Sequence, residues 1–379
     1  PIADAAKSAI DAKIPDVGAL GKLGQPDVGV SAAIGHQNAD RQVRSGSDVV
    51  SQFKGGTVDV KVAGTLQDQG TRYEASAGKV NISADRLIAN AASITEGSID
   101  RALDAKVDVR VYTKTGQDVN VAGSGEGGSR QTQKNTSTAV VGSYAGSQGV
   151  NINLGRDGQF EGSRFDGGEG GVTIKTGGEL ALNQANDRQD SDTSSLRGKA
   201  SLNVGTLPGT NATNATVGAG VQLDHKGSQV RDSQARVADI QGQGPVELSS
   251  GGDLLLQGTR IDTPGAIDLK AGGKLGLQAA SDTHLVKGSN LGGGLDLGGS
   301  KTSTENSVAK TGTLGINFNA GRVDESAQTL TGVQLKSQDR IGLGGDSIYL
   351  QGTRADAPHV RLDARGGGIQ AQSAQSTQN

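Results

Sequence analysis

Across 379 residues the chain carries 37 Lys and Arg against 40 Asp and Glu, a net of −3, with 61 Gly, 7 Pro, no Cys and 2% aromatic residues. Mixed charge without a basic stripe or stacking rings excludes a nucleic-acid binder, no run of 18 apolar residues could cross a membrane as a helix, and glycine out of G-X-Y register excludes collagen. A conventional core with large buried rings is not expected, which leaves thinly spread Val, Ile, Leu and Ala and a regular hydrogen-bonded backbone to stabilise the fold.

The chain opens "PIADAAKSAI" without Met or a signal peptide, which suggests a fragment of something longer. Within residues 1–27, "AAKSAIDAK" (5–13) has helix-like composition and is followed by a loop-like stretch. This reads as an N-terminal cap or linker with a short helix, covering an otherwise open sheet edge.

From 28 to 372 the dominant feature is repetition. In "GPVELSSGGDLLLQGTRIDTPGAIDLKAGGKLGLQA" (244–279), a shift of 21 places lays Val246 on Ile267, Leu254 on Leu275 and Leu256 on Leu277. Apolar residues alternate with polar ones, the mark of strands with one buried face, and Gly-Gly and Thr-Pro-Gly mark the corners. About 21 residues fit one coil of a β-solenoid, in which coils stack at about 4.8 Å. "GVTIKTGGELALNQA" (171–185) is a further copy with Val172, Ile174, Leu180 and Leu182 inward, and 79–92 and 359–374 are looser ones.

A longer period lies above this one. Gly-[Thr/Ser]-Arg recurs at Gly70, Gly162, Gly258 and Gly352, defining modules of about 94 residues, each with a clean half and an irregular half. The irregular halves, near 93–148, 186–243 and 281–338, contain alternating runs such as "KVDVRVYT", "KASLNVG" and "GTLGINFNAG". They are expected to protrude in part as β-hairpins, with Gly-rich stretches such as "GSGEGG" (123–128) and "NLGGGLDLGGS" (290–300) as tips or wide bends. The tail, 373–379, is polar and expected to fray. If every residue coiled, about 18 coils would make a rod of roughly 85 Å, and excursions would shorten it.

Chemistry is sparse. His36, His225, His284 and His359 are isolated in sequence, carboxylates belong to different coils, and rings for a sugar platform are few. No catalytic, cofactor-binding or metal-binding residue is assigned, and no cofactor is expected. "GSGEGG" lacks the strand-then-helix context of a phosphate loop. In Gly-[Thr/Ser]-Arg, the glycine reads as a corner, the hydroxyl as a bond to the turn, and the arginine as a solvated flank or a partner for a carboxylate on the next coil; a ligand-binding row of arginines is the alternative.

The phrase "GGDLLLQGTRI…GAIDLKAGGKLGLQAASDT", followed by a Ser/Gly-rich excursion and "TLGINFNAG", resembles the haemagglutinin repeats of filamentous-haemagglutinin-like and CdiA-type two-partner-secretion exoproteins. The resemblance implies a right-handed parallel β-helix on the surface of a Gram-negative cell. It also implies export through an outer-membrane β-barrel transporter, which suits a chain without Cys. Engagement of a target-cell surface, either a receptor or the outer membrane, and toxin delivery in contact-dependent growth inhibition are implied in the same way. The expected function is therefore non-catalytic adhesion or target-cell engagement, by a segment that is monomeric as a fragment. A β-helical polysaccharide-acting enzyme and a passive adhesin shaft are the alternatives.

Overall fold

The computed structural model describes residues 28–114, 118–206 and 214–378; the cap-or-linker reading of 1–27 lies outside them. Among the described residues every regular element is a β-strand, arranged in three sheets. Two of the sheets, parallel throughout, wrap together into a three-sided solenoid of eight coils. The first coil comprises Gln52–Gly55, Val58–Lys61 and Thr65–Gln69, and the second Arg72–Ala75, Val80–Ala84 and Arg86–Asn90.

The ladders read from the sequence are present. Leu254 pairs with Leu275, Leu256 with Leu277 and Val246 with Ile267. Each lies in a column running the length of the solenoid. On one side the column is Val58, Val80, Val150, Val172, Val246, Ile267, Ile341 and Val360. Stacking in register demands the same size and polarity at the same place in every coil, so the repeat in sequence is a direct consequence of the repeat in space.

The rings correct an expectation. Phe53, Tyr73, Tyr144 and Phe165 stack along the third side, centroids 5.0–5.4 Å apart, and Phe160 meets Tyr144 and Phe165 edge-on. Four of the eight Phe and Tyr thus form one column in the early coils, because parallel in-register strands put like on like at a spacing suited to offset stacking, and Phe160 packs on that column from a neighbouring side.

The third sheet is antiparallel and built from the irregular halves. Three hairpins, Ala92–Thr113 with Asn120–Val140, Ala185–Thr206 with Ala215–Arg236, and Ala280–Thr304 with Ser307–Thr331, lie side by side. Val28–Ser47 adds to one edge and Thr377–Gln378 to the other. Strands of 20–25 residues reach about 68–85 Å, against coil strands of mostly 3–5 residues. The hairpin strands take 92–113, 120–140, 185–206, 215–236, 280–304 and 307–331, and the coil resumes at Ser143, Asp239 and Gln334. So much chain leaves the solenoid that its eight coils rise only about 34 Å.

The Gly-rich stretches are not tips. Residues 123–128 lie inside Asn120–Val140 and 290–300 inside Ala280–Thr304; the third hairpin turns at Glu305–Asn306. Glycine is weak in a strand because nothing packs on it. Here neighbours on both sides complete the hydrogen bonding, and glycines recur in adjacent strands where the surface is left low.

Candidate interaction surface

Solenoid corners decide where the hairpins emerge. Gly70, Gly162, Gly258 and Gly352 have φ of +63°, +57°, +63° and +61°, the left-handed region that side chains disfavour. A Cβ on Gly70, Gly162 or Gly258 would lie 2.8, 3.1 or 2.4 Å from the Cβ of Ala92, Ala185 or Ala280. Those alanines are the first residues of the three hairpins, and all are buried. Each hairpin therefore leaves from the corner stacked on a tight glycine corner one coil earlier. Glycine and alanine, 22 or 23 residues apart, form a close-packed root.

The other two residues of the triplet behave unevenly. Ser163 Oγ donates to the Glu161 carbonyl at 3.5 Å, whereas the buried Thr259 and Thr353 hydroxyl oxygens have no hydrogen-bond partner among the described residues. In register, Arg72, Arg164, Arg260 and Arg354 alternate with Ser143, Asp239 and Gln334. The intervening coil breaks up any contiguous arginine row, and Arg164 reaches the Asp239 carboxylate at 4.0 Å.

Carboxylates brought together by adjacent coils are neutralised by arginine. Asp85 pairs with Arg156, and Asp157 with Arg86 at 2.7 Å. The Arg156 guanidinium holds Asp85 below the usual carboxylate range. Asp157 is lowered first by the Glu179 N–H, which donates to it, and then by Arg86. Such groups stay ionised and cannot serve as general acids near neutrality. His284 sits against Asp232 on the hairpin sheet; His36 and His225 lie on the same sheet, and His359 begins a strand of the last coil. Among the described residues no three of His, Asp and Glu are grouped to hold a metal.

The surface with most character is the hairpin sheet itself. Its register runs without slips across the seven long strands, so alternate rows of residues share a face. One row reads Val30, Val111, Val121, Val204, Val217, Gly299, Gly312. Two rows nearer the coils it reads Ala32, Val109, Gly123, Leu202, Ala219, Leu297, Leu314, and two further Ile34, Val107, Gly125, Ala200, Val221, Leu295, Ile316. The next two rows on this face keep Leu223 and Phe318, then Leu103, Leu196 and Leu291. The intervening rows carry Asp108, Ser124, Ser201 and Asp296, then Lys106, Glu126, Lys199 and Gln222.

The distal half of the sheet is thus apolar on one face and polar on the other, and no described element covers the apolar side: Leu202 is 52%, Leu297 50% and Ile316 75% exposed. Nearer the solenoid the apolar face gives way to Asp40, Arg101, Gln131, Ser194 and Arg322, with a shallow polar trough lined by Gln133, Asp192, Gln229 and Lys287. Sequence reading found the alternating runs but not this face, because the register that aligns seven strands is set by the hairpin roots and not by any one run.

Comparison with known proteins accords with this architecture. The hemagglutinin repeat family matches residues 28–198 and 183–293. The chain belongs to that family. It is a repeat region of the filamentous-haemagglutinin-like exoprotein type. A hemolysin of Serratia marcescens is 35% identical over 95% of the chain, and a hemolysin of Proteus mirabilis 31% identical over 96%. The chain spans 22% and 23% of the length of those two relatives. No solved structure matches.

Proposed function

We propose that the chain is a non-catalytic section of a secreted surface exoprotein, in which the solenoid is a scaffold and the hairpin sheet engages a target cell. The exoprotein leaves a Gram-negative producer through a partner outer-membrane β-barrel. A chain without Cys forms no disulfide loop to obstruct such passage. Two relatives carry the name hemolysin, and toxin delivery in contact-dependent growth inhibition is the finer role in which an engaging segment of this kind would act.

The observation that carries the reading is the single-layer sheet. A pure spacer needs only coils, yet three hairpins of paired 21–25-residue strands are held in one register and exposed on both faces. To test it, the intact exoprotein is made with all three hairpins shortened to their coil-proximal third, and its binding to target cells is titrated. A loss of tenfold or more is expected, with β-structure retained in the far-ultraviolet spectrum. Undiminished binding would leave the passive-shaft reading in its place.

A further inference from the structure

We infer that the distal apolar face of the hairpin sheet lies on a lipid bilayer, its side chains in the acyl boundary and the opposite face in water. This rests on the reading of the sheet as the engaging surface and names what it engages. Seven strands at about 4.8 Å and nine successive rows at about 3.4 Å give a face of about 29 by 27 Å, roughly 800 Å², apolar but for His36, Asn38, Ser129 and His225 in its two inner rows. The largest apolar patch on an ordinary monomer is about 300–600 Å², so this face needs an occupant.

Three features select lipid over a second copy of the chain or fix how the sheet is seated on it. First, the face has uneven relief. Gly123, Gly125 and Gly127 make a furrow along one strand, with open space above Gly123 and Gly125, while Leu295, Leu297, Ile316 and Phe318 stand proud. A rigid sheet laid over the furrow would leave a void, which costs packing, whereas acyl chains fill it. Second, the apolar face ends within the sheet at a row bearing Arg101, Asp40 and Arg322, a polar border that limits the contact laterally on the solenoid side. Third, the geometry suits lying flat. The opposite face carries Asp108, Asp296, Lys106, Glu126 and Lys199, which must stay wet, and among the described residues most of Ser307–Thr331 has an unpaired outer edge that could not enter hydrocarbon. Interfacial seating satisfies both. It is the sheet counterpart of an amphipathic helix lying in the membrane plane. Charges along the border are mixed in sign, so a zwitterionic surface suffices.

Because the chain has no Cys, single cysteines can report on each face. Leu202→Cys and Leu297→Cys sit on the apolar face, Ser201→Cys and Gln222→Cys on the other. Each is labelled in the 379-residue chain with an environment-sensitive dye and mixed with phosphatidylcholine vesicles. Iodide quenching at the first pair is expected to fall at least fivefold on vesicle addition, and at the second pair by less than twofold. The same quenching with and without vesicles at all four sites overturns the inference, as does equal shielding of both faces. Shielding of the apolar pair before vesicles are added, with sedimentation as a dimer, assigns the face to a second copy and also overturns it. The double variant Leu202→Asp/Leu297→Asp should lose vesicle flotation at least tenfold, against no loss for Ser201→Asp, with far-ultraviolet spectra unchanged. If the double variant of the intact exoprotein loses flotation yet still binds target cells, lipid seating fails while target engagement stands.

Discussion

Gly258→Ala tests whether the corner glycine is what roots the third hairpin. The new Cβ would meet the Ala280 Cβ at 2.4 Å and Val237 Cγ1 at 2.6 Å, where carbon atoms prefer about 3.5–4.0 Å. Relieving such overlap in a packed site costs about 1–3 kcal/mol, and holding a non-glycine residue at φ +63° costs about 1–2 kcal/mol more. The expected loss is therefore about 2–5 kcal/mol. Because solenoid stability is a sum over neighbouring coils, the loss should concentrate at this junction. Urea denaturation gives the total, and amide exchange locates it: faster exchange is expected for Leu254–Thr263 and for the first turn of chain after Ala280, with the early coils unchanged. Gly56→Ala is the control, since a Cβ there meets nothing within 4 Å, and a change within about 0.5 kcal/mol is expected. Equal effects at the two positions would refute the claim that the glycine is required by its corner.

Other expectations follow from the solenoid interior. Leu248→Ala removes a fully buried side chain stacked between Ile174 and Leu269 and should cost about 3–5 kcal/mol by urea denaturation; Leu255→Ala, outward-facing between Leu254 and Leu256, should cost under about 1 kcal/mol. Asp68 accepts hydrogen bonds from the Tyr73 hydroxyl at 3.0 Å, and desolvation raises its pKa above the ordinary 3.8 in spite of them. The sign follows: its contribution is most favourable below about pH 3.8 and is lost as pH rises through the raised value. Asp68→Asn should therefore gain on the parent between pH 3.5 and 7 in matched urea titrations, and a constant offset would contradict the assignment. Thr259→Val removes a buried hydroxyl that has no protein partner and should stabilise by about 1 kcal/mol. The Asp85–Arg156 and Asp157–Arg86 pairs, whose carboxylates titrate low, should contribute above the ordinary carboxylate range and lose that contribution as pH falls through their lowered values. The difference in urea midpoint between the parent and the Asp85→Asn/Asp157→Asn variant should shrink with acid.

The coil was legible in sequence because one coil must fit on the next. Val246 on Ile267 and Leu254 on Leu275 are both a shift in the text and a pairing in the structure. The hairpins were half legible. "KVDVRVYT", "KASLNVG" and "GTLGINFNAG" alternate as strands, and all three prove to lie in the long sheet. Their lengths were hidden because 123–128 and 290–300 carry so much glycine that local propensity reads as turn, while long-range pairing on both edges makes them strand. The apolar face was hidden for a related reason. Val121, Val204 and Val217 are far apart in sequence and become one row only through register. One signal was present and unused: the alanine 22 or 23 residues after the first three corner glycines, at Ala92, Ala185 and Ala280, which begins a hairpin each time.

That signal explains why the module has the length it has. A hairpin contributes two strands to the long sheet, about 9.6 Å of width, and two coils contribute about 9.6 Å of rise. Only when one hairpin emerges for every two coils do the two spacings agree, so that neighbouring hairpins can pair edge to edge without splaying from their roots. The chain obeys this: tight glycine corners alternate with hairpin corners from Gly70 to Gly352, and adjacent hairpins pair over 18 or 19 residues, Asn120–Ser137 with Arg188–Gly205 and Ala215–Ser233 with Thr283–Lys301. A hairpin on every coil would crowd the sheet, and one on every third would leave gaps and free edges. The period of about 94 residues is thus two coils of about 21 plus one long hairpin, fixed by the common strand spacing of the parallel solenoid and the antiparallel sheet. The corner triplet, read in sequence as a turn of the chain, also marks the coil on which the next hairpin is seated. Whatever the sheet meets, the unbroken register that assembles its apolar rows depends on that alternation being kept.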